Sequence, residues 1–297
     1  MDTNALRLLL SVARHGSLAA TARAENIDPS TVSRTVAQAE ARLGLRLFQR
    51  DTRNLTPTEA GRRYLAAIET PLRALDDARE TARSQDGRIA GTVRLSASVA
   101  YGTRALVPRL PDLMARHPDL NLDLILDDAP RDLVGDGIDL ALRLTPAPKG
   151  DLISRRLAPV RYRLVAAPGT PTLPDPAALD TARCLIHDHP GLQPLWQFRQ
   201  GDIQHDIPVT GRLRMTSPLA LREAALRGLG PALLADWLIQ DDLTQGHLSD
   251  ILPGWHGALQ GFDTALWLLY PSRAGLPRRT RATIDWFTAS APEPANP

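Results

Sequence analysis

Apolar residues recur at helical spacing from the start of the chain. Leu6, Leu9, Leu10 and Ala13 share one face, and His15-Gly16 ends the helix they define. Ser17 is placed to cap a short second helix, Leu18 to Glu25, whose small residues Ala19, Ala20, Ala22 and Ala24 suit close packing; Asn26-Ile27 makes the turn after it. Asp28-Pro29 is a capping carboxylate followed by proline at the first helical position, so a third helix starts there. Val32, Val36, Ala39 and Leu43 form its buried stripe, while Ser30, Thr31, Ser33, Arg34, Ala37 and Gln38 face elsewhere. Leu45, Leu47 and Phe48 lead into a short hairpin with the polar, basic tip Arg50-Asp51-Thr52-Arg53-Asn54, and Leu55 returns to the core; this reads as a wing.

Thr56-Pro57-Thr58-Glu59 reads as a capping box with proline at the first helical position, opening a long helix to about Gln85. In it Leu65, Ile68, Leu72 and Leu75 alternate steps of three and four, with Pro71 a candidate kink. A seam of that kind on a helix without a core of its own predicts pairing with a second copy, hence a dimer through these four residues. Ser84-Gln85-Asp86-Gly87 looks like an exit linker.

From Thr92 the pattern changes to alternating strands and helices. Strands are expected at Val93–Ala97, Leu120–Leu126, Ile138–Leu144, Val160–Ala167, Arg183–Ile186, Arg212–Met215, Pro231–Leu234 and Thr264–Tyr270, with a closing helix from about Leu276 to Thr288. The prolines between Pro146 and Pro176 read as loop chemistry between units.

Composition bounds the function. At 297 residues, 43% hydrophobic and 23% charged, the chain reads as an ordinary globular protein with room for two or three units. It has no uninterrupted apolar run of about 18 residues, and its N-terminus lacks the plan of a secretory signal, so a cytoplasmic protein with no membrane partner is expected. A single cysteine, Cys184, excludes a disulfide framework within one chain and reads as structural. The net charge is only +2, and Lys149 is the only lysine, so the abundance of arginine is by itself no sign of nucleic acid. Its distribution says more: residues 1–63 carry ten Arg against six Asp and Glu, with Arg42, Arg46, Arg50, Arg53, Arg62 and Arg63 close together.

These residues carry a resemblance. Leu6-Arg7 through Ala13-Arg14-His15-Gly16-Ser17-Leu18, then Ala20-Thr21-Ala22-Arg23, Pro29-Ser30-Thr31-Val32-Ser33-Arg34, Leu43-Gly44-Leu45-Arg46-Leu47-Phe48-Gln49-Arg50 and Leu55-Thr56-Pro57-Thr58-Glu59-Ala60-Gly61 agree in order and spacing with one family. The N-terminal region resembles the winged helix-turn-helix of LysR-type transcriptional regulators. Weaker matches continue at Pro108-Arg109-Leu110-Pro111, His117-Pro118-Asp119-Leu120, Gly137-Ile138-Asp139-Leu140-Ala141-Leu142-Arg143 and Ala224-Ala225-Leu226-Arg227-Gly228-Leu229-Gly230. Asp51 departs from the usual uncharged residue, Ala39 from a leucine and Ser98 from a proline.

The resemblance implies an α+β multidomain fold: a winged helix-turn-helix over 1–60, a linker and dimerisation helix over 58–86, and a two-lobed α/β effector domain over 91–297, similar to periplasmic binding proteins. Lobe I is expected at about 91–162 and 264–290, and lobe II at about 163–263. It implies a bacterial, sequence-specific regulator of transcription, with operator DNA as partner, a small-molecule effector in a cleft, and homodimers that assemble to a homotetramer. Organic acids are the effectors to screen first.

Short side chains with one long donor suit close approach to a groove, so Thr31 and Arg34 are expected at bases, and Ser30, Ser33, Arg50 and Arg53 at phosphates. Strand ends followed by helix N-termini place Ser98, Tyr101, Asp128, Thr216 and Ser217 as candidate effector residues, with Arg143 structural. The rival readings are an architectural DNA binder without sequence preference and, last, an enzyme. No nucleophile elbow, P-loop, Rossmann fingerprint or zinc set occurs, so no catalytic residue, cofactor or metal is expected. His187-Asp188-His189, the one metal-like cluster, reads as a loop before Pro190.

Overall fold

The computed structural model describes residues 1–50, 55–83, 88–129, 131–148, 150–189, 194–211, 213–271 and 276–289. Two compact units form, one of Met1–Arg88 with Arg131–Ile138 and one from the rest of the chain.

In the first unit α1 (Thr3–His15) is capped by the Asp2 carboxylate and ends at Gly16, whose left-handed φ of 60° an L side chain would resist. Ser17 caps α2 (Leu18–Glu25), and Asp28 caps α3 (Pro29–Leu43), as their sequence signals require. Strands β1 (Phe48–Arg50) and β2 (Leu55–Pro57) pair antiparallel, and the Leu55 N–H donates to the Gly16 carbonyl, tying the hairpin to the end of α1. Helix α4 (Glu59–Arg83) continues through Pro71.

The start of α4 corrects the expected capping box by two residues. Pro57 closes β2, and Thr58 is the cap: its hydroxyl accepts the Gly61 N–H at 2.9 Å while donating to the Arg46 carbonyl at 2.7 Å. Glu59 therefore sits in the first turn, paired with Arg62 and Arg63 rather than reaching back to the backbone. Gly61 is required by close approach, since a Cβ there would lie 1.9 Å from the Leu47 carbonyl oxygen.

The second unit contains two sheets. Strand β3 (Gly91–Ala97) leads into α5 (Val99–Tyr101), which runs through a π turn and a 3-10 turn into α6 (Leu110–Arg116), followed by β4 (Leu120–Leu126), β5 (Leu140–Thr145) and β6 (Leu152–Pro159). The chain then builds β7 (Tyr162–Ala166), β8 (Leu185–His187), β9 (Leu195–Gln200), β10 (Ile203–Pro208), β11 (Leu213–Met215), α7 (Pro218–Leu226), β12 (Ala232–Ala235), α8 (Asp236–Thr244), β13 (Ser249–Asp250) and β14 (His256–Ala258). It returns through β15 (Ala265–Pro271) and α9 (Arg278–Ala289).

The first sheet has the order β4-β3-β5-β15-β6, with β3 parallel to β4 and β5 and with β15 antiparallel to both neighbours. Its core joins Val93, Leu95, Leu140, Leu142 and Leu268 to Leu113 of α6 and to Ile284 and Phe287 of α9. The second sheet has the order β10-β9-β14-β7-β12-β8-β11, with β13 on β7. Helices α7 and α8 cover one face through Leu221, Ala225, Leu238 and Ile239, and Trp196 and Phe198 fill the other. The two crossings between the sheets lie side by side, the Val160 N–H donating to the Thr264 carbonyl at 2.9 Å.

Five of these strands, β6, β9, β10, β13 and β14, went unread in the sequence. β6 lies at a sheet edge inside the proline-rich stretch that reads as a loop, and its residues 153–156 are all exposed, without period-two alternation. The hairpin of β9 and β10 did carry a signal, Trp196 and Phe198 alternating ahead of Gly201-Asp202.

Candidate functional site

Helix α3 is held by Val32, Val36 and Ala39, all buried, which turns Ser30, Thr31, Ser33, Arg34, Ala37 and Gln38 to solvent. Its first turn is already occupied. The Asp28 carboxylate accepts the Ser30 N–H at 2.7 Å, and hydrogen bonds from Ser30, with the nearby Arg34 charge, hold that carboxyl below the usual range. The Ser30 N–H, a donor that a phosphate at the helix start would need, is thus taken by the protein's own carboxylate. Glu40, near the other end of α3, accepts the backbone N–H groups of Leu47 and Phe48 at 2.8 and 3.1 Å. That carboxylate ties the helix to the strand that enters the wing. Arg50 lies at the end of β1; its side chain, and Arg53 altogether, fall outside the described residues.

The four residues expected to form a dimer seam divide differently. Leu65 is 5% exposed and Leu72 3%, both within the core that α1 supplies, and Ile68 packs against the same core. Only Leu75, 45% exposed, faces solvent. The premise that α4 lacks a core of its own is corrected: it packs on α1, and Arg7 and Asp76 form an ion pair between the two helices.

Within the α/β unit a cavity of about 330 Å³ is lined from both sheets. Ser98, Asp127, Asp128, Arg143 and Thr145 belong to the first, and Tyr162, His187, His189, Thr216, Trp237 and Gln260 to the second or its connections. Leucines 221, 233, 234, 238 and 259 supply apolar wall. Of the expected effector residues, Ser98, Asp128 and Thr216 line it and Tyr101 and Ser217 do not. Tyr101 is 5% exposed, packed edge-on against Trp237 with ring centroids 5.2 Å apart, and burial raises its phenol pKa. Ser217 caps α7 through the Ala220 N–H.

A carboxylate of the protein also stands where β3 meets α5. Asp128 accepts the Val99 N–H at 3.0 Å. Arg143 lines the cavity and is also structural, donating to the buried Ser96 hydroxyl at 2.8 Å and to the Leu142 carbonyl at 3.0 Å.

His187 and His189 line the cavity as well, His189 from the loop that the sequence predicts there. His187 ends β8, whose parallel pairing with β11 places it beside Thr216, and its Nε2 lies 3.1 Å from the Thr216 carbonyl oxygen. A carbonyl can only accept, so Nε2 carries the hydrogen and Nδ1 is left as a lone pair. The two imidazoles stand 5.8 Å apart. Burial lowers the His187 pKa, helped by His189 and opposed by the Thr216 carbonyl and the carboxylates of Asp128 and Asp188. Among the described residues no group of three or more His, Cys, Asp or Glu is arranged to hold a metal ion, and no helix is long and apolar enough to cross a membrane.

Comparison with known proteins agrees with this architecture. Residues 3–62 match the family model described as bacterial regulatory helix-turn-helix protein, lysR family, and residues 86–292 match the LysR substrate binding domain. The chain is 30% identical to the probable HTH-type transcriptional regulator LtrA of Klebsiella pneumoniae, covering 97% of this chain and 94% of that protein. It is likewise 30% identical to the HTH-type transcriptional regulator DmlR of Escherichia coli, over 96% and 92% of the two chains. Among solved structures, full-length AphB, the Vibrio cholerae virulence activator, superposes with a TM-score of 0.62 at 26% identity, over 98% of this chain and all of that one. CrgA of Neisseria meningitidis shares the fold, with a TM-score of 0.61 at 23% identity over 99% and 100% of the chains. An exposed polar helix on a winged three-helix core, followed by two α/β sheets around a cavity, is therefore the arrangement of a known class, and the chain belongs to the LysR family of bacterial transcriptional regulators.

Proposed function

We propose that this regulator recognises a specific operator through α3 and the wing, and that a small molecule in the α/β cavity modulates that binding. Thr31 and Arg34 reach base edges; Ser33, Arg50 and Arg53 meet phosphates, with Ser30 a weaker contributor because Asp28 holds its N–H. The observation that carries the reading is the division of α3 into three buried residues and an exposed face that bears Ser30, Thr31, Ser33, Arg34 and Gln38 with only small alanines between. The DNA-binding domain spans about residues 1–60, the linker helix 58–86 and the effector domain 91–297, and the protein works in the cytoplasm beside the chromosome. Copies pair through the outward face of α4, which presents Leu75, and pairs associate into a tetramer. Ligand binding changes the approach of the two sheets about the Val160 and Thr264 crossings, and the change passes to the DNA-binding pair.

The test is binding of the purified protein to a labelled fragment from upstream of its own gene, at physiological salt, against unrelated competitor DNA. Selective binding with a dyad-shaped footprint is expected. An architectural protein would bind without preference, and its specificity ratio at fixed salt would be close to unity.

A further inference from the structure

Every charged group in the cavity lining already has a partner within the protein. Asp128 accepts the Val99 N–H at 3.0 Å and Asp127 the Ala129 N–H at 2.9 Å. Arg143 donates to Ser96 and Leu142, His187 donates to the Thr216 carbonyl, and His189 and the uncharged amide of Gln260 are engaged as well. What lacks a partner among the described residues is neutral. The Trp237 Nε1–H is buried with no acceptor. The half-buried hydroxyls of Ser98, after β3, and Thr145, at the end of β5, carry no hydrogen bond to a described residue, and neither does the phenol of Tyr162 on β7. Burial pushes that phenol up to about 12, so it keeps its proton and stays a donor. Each sheet thus brings two unengaged neutral donors to one cavity.

An indole N–H can only donate, and a buried donor without an acceptor is destabilising, so an oxygen brought by a ligand gains most beside Trp237. A charged ligand would compete for groups already in use, while a neutral carbonyl answers the donors left over. Leu221, Leu233, Leu238 and Leu259 require the rest of the ligand to be apolar. A cavity of about 150 Å³ takes benzene, so 330 Å³ holds one ring with a short chain. Resting on the reading of this cavity as the effector site, we propose that it takes a compact uncharged carbonyl compound, a ketone or ester on an apolar ring, whose oxygen accepts from Trp237 with Tyr162 as a second donor. The Trp237 ring packs against the cores of both sheets and edge-on against Tyr101. Its nitrogen is closed off in this arrangement, so the ligand reaches it by moving that ring or the sheets it joins, which links occupancy to their approach.

The experiment is calorimetric titration of the full-length protein near neutral pH with the ketones acetophenone and 4-phenyl-2-butanone, their carboxylate counterparts benzoate and 3-phenylpropionate, and the acceptor-free ethylbenzene. At least one ketone is expected to bind saturably, about tenfold or more tighter than its carboxylate counterpart and than ethylbenzene. Trp237→Phe, which keeps an aromatic ring for Tyr101, is expected to weaken that ketone by about tenfold and ethylbenzene by less than about twofold. If Trp237→Phe melts below the parent, Tyr162→Phe, which removes only the phenol oxygen, supplies the same comparison. Ketone binding indifferent to both substitutions places the ketone elsewhere and overturns the proposal, as does ethylbenzene binding as tightly as the ketones, since no acceptor is then recognised. Carboxylates that bind as tightly as the ketones, or alone, overturn the neutral ligand and leave the cavity as effector site, while no binding by any of the five overturns both.

Discussion

Arg34 sits one turn into α3, exposed beside Thr31 and behind the first turn that Asp28 caps, the position proposed to read a base edge. Arg34→Ala is expected to cost about 1–3 kcal/mol in operator binding and to relax discrimination at one position. Binding curves on cognate and scrambled DNA measure it; equal loss on both would make Arg34 a phosphate contact. Cys184 is a residue of another kind, 1% exposed, with its thiol pushed up to about 12 mainly by burial and further by Asp180. The thiolate is the reactive form, so a thiol reagent near pH 8 should label the native protein only as fast as it opens. Prompt labelling without denaturant would contradict that burial.

His187 adds a pH dependence with a definite sign. Its folded pKa is lowered from 6.5, so the folded state prefers the neutral ring. The stability this contributes is present above about pH 6.5 and is lost as pH falls from there through the lower folded value, because the unfolded chain takes up the proton first. The charged and titratable groups acting on the ring are His189, Asp128 and Asp188, the last paired with Arg214. Urea midpoints of the parent should fall more steeply on acidification than those of His187→Gln, and parallel profiles would remove His187 as the source.

At the scale of elements, α4 does two jobs on different faces. One face completes the winged-helix core with Leu65 and Leu72 against α1, and the other carries the exposed Leu75. Leu72→Ala leaves a buried void and is expected to destabilise the DNA-binding domain by about 2–5 kcal/mol. Leu75→Ala should leave the melting temperature nearly unchanged and weaken self-association, seen by sedimentation at low concentration. If both substitutions acted only on association, the packing of α4 on α1 would not hold in solution. The wing depends on similar economy: Glu40 satisfies two N–H groups at its entry, and Thr58, both donor and acceptor, closes its exit.

At the scale of the whole molecule, the first three helices and the hairpin were legible because their boundaries are written locally. Asp2, Ser17 and Asp28 cap, Gly16 and Gly44 take left-handed backbone, and the buried stripe of α3 has a helical period. Strands such as Leu120–Leu126 could be read in advance from their alternation, and the order of helix-turn-helix and two-lobed domain from family likeness. Where local pattern and long-range packing part company, the structure alone decides. The Leu65 and Leu72 seam meets α1 some sixty residues earlier in the chain, a partner that no spacing rule names. Edge strands such as β6 carry no buried face to mark them. The cavity is the clearest case, since His187 and Asp128 share one wall-to-wall space only because the chain crosses between two sheets and returns. The sequence by itself determined the first helices, the strands that alternate and the family likeness, because caps and periods act between near neighbours. Tertiary structure decided which side chains face one another, because a cavity is built from contacts between residues the chain keeps far apart.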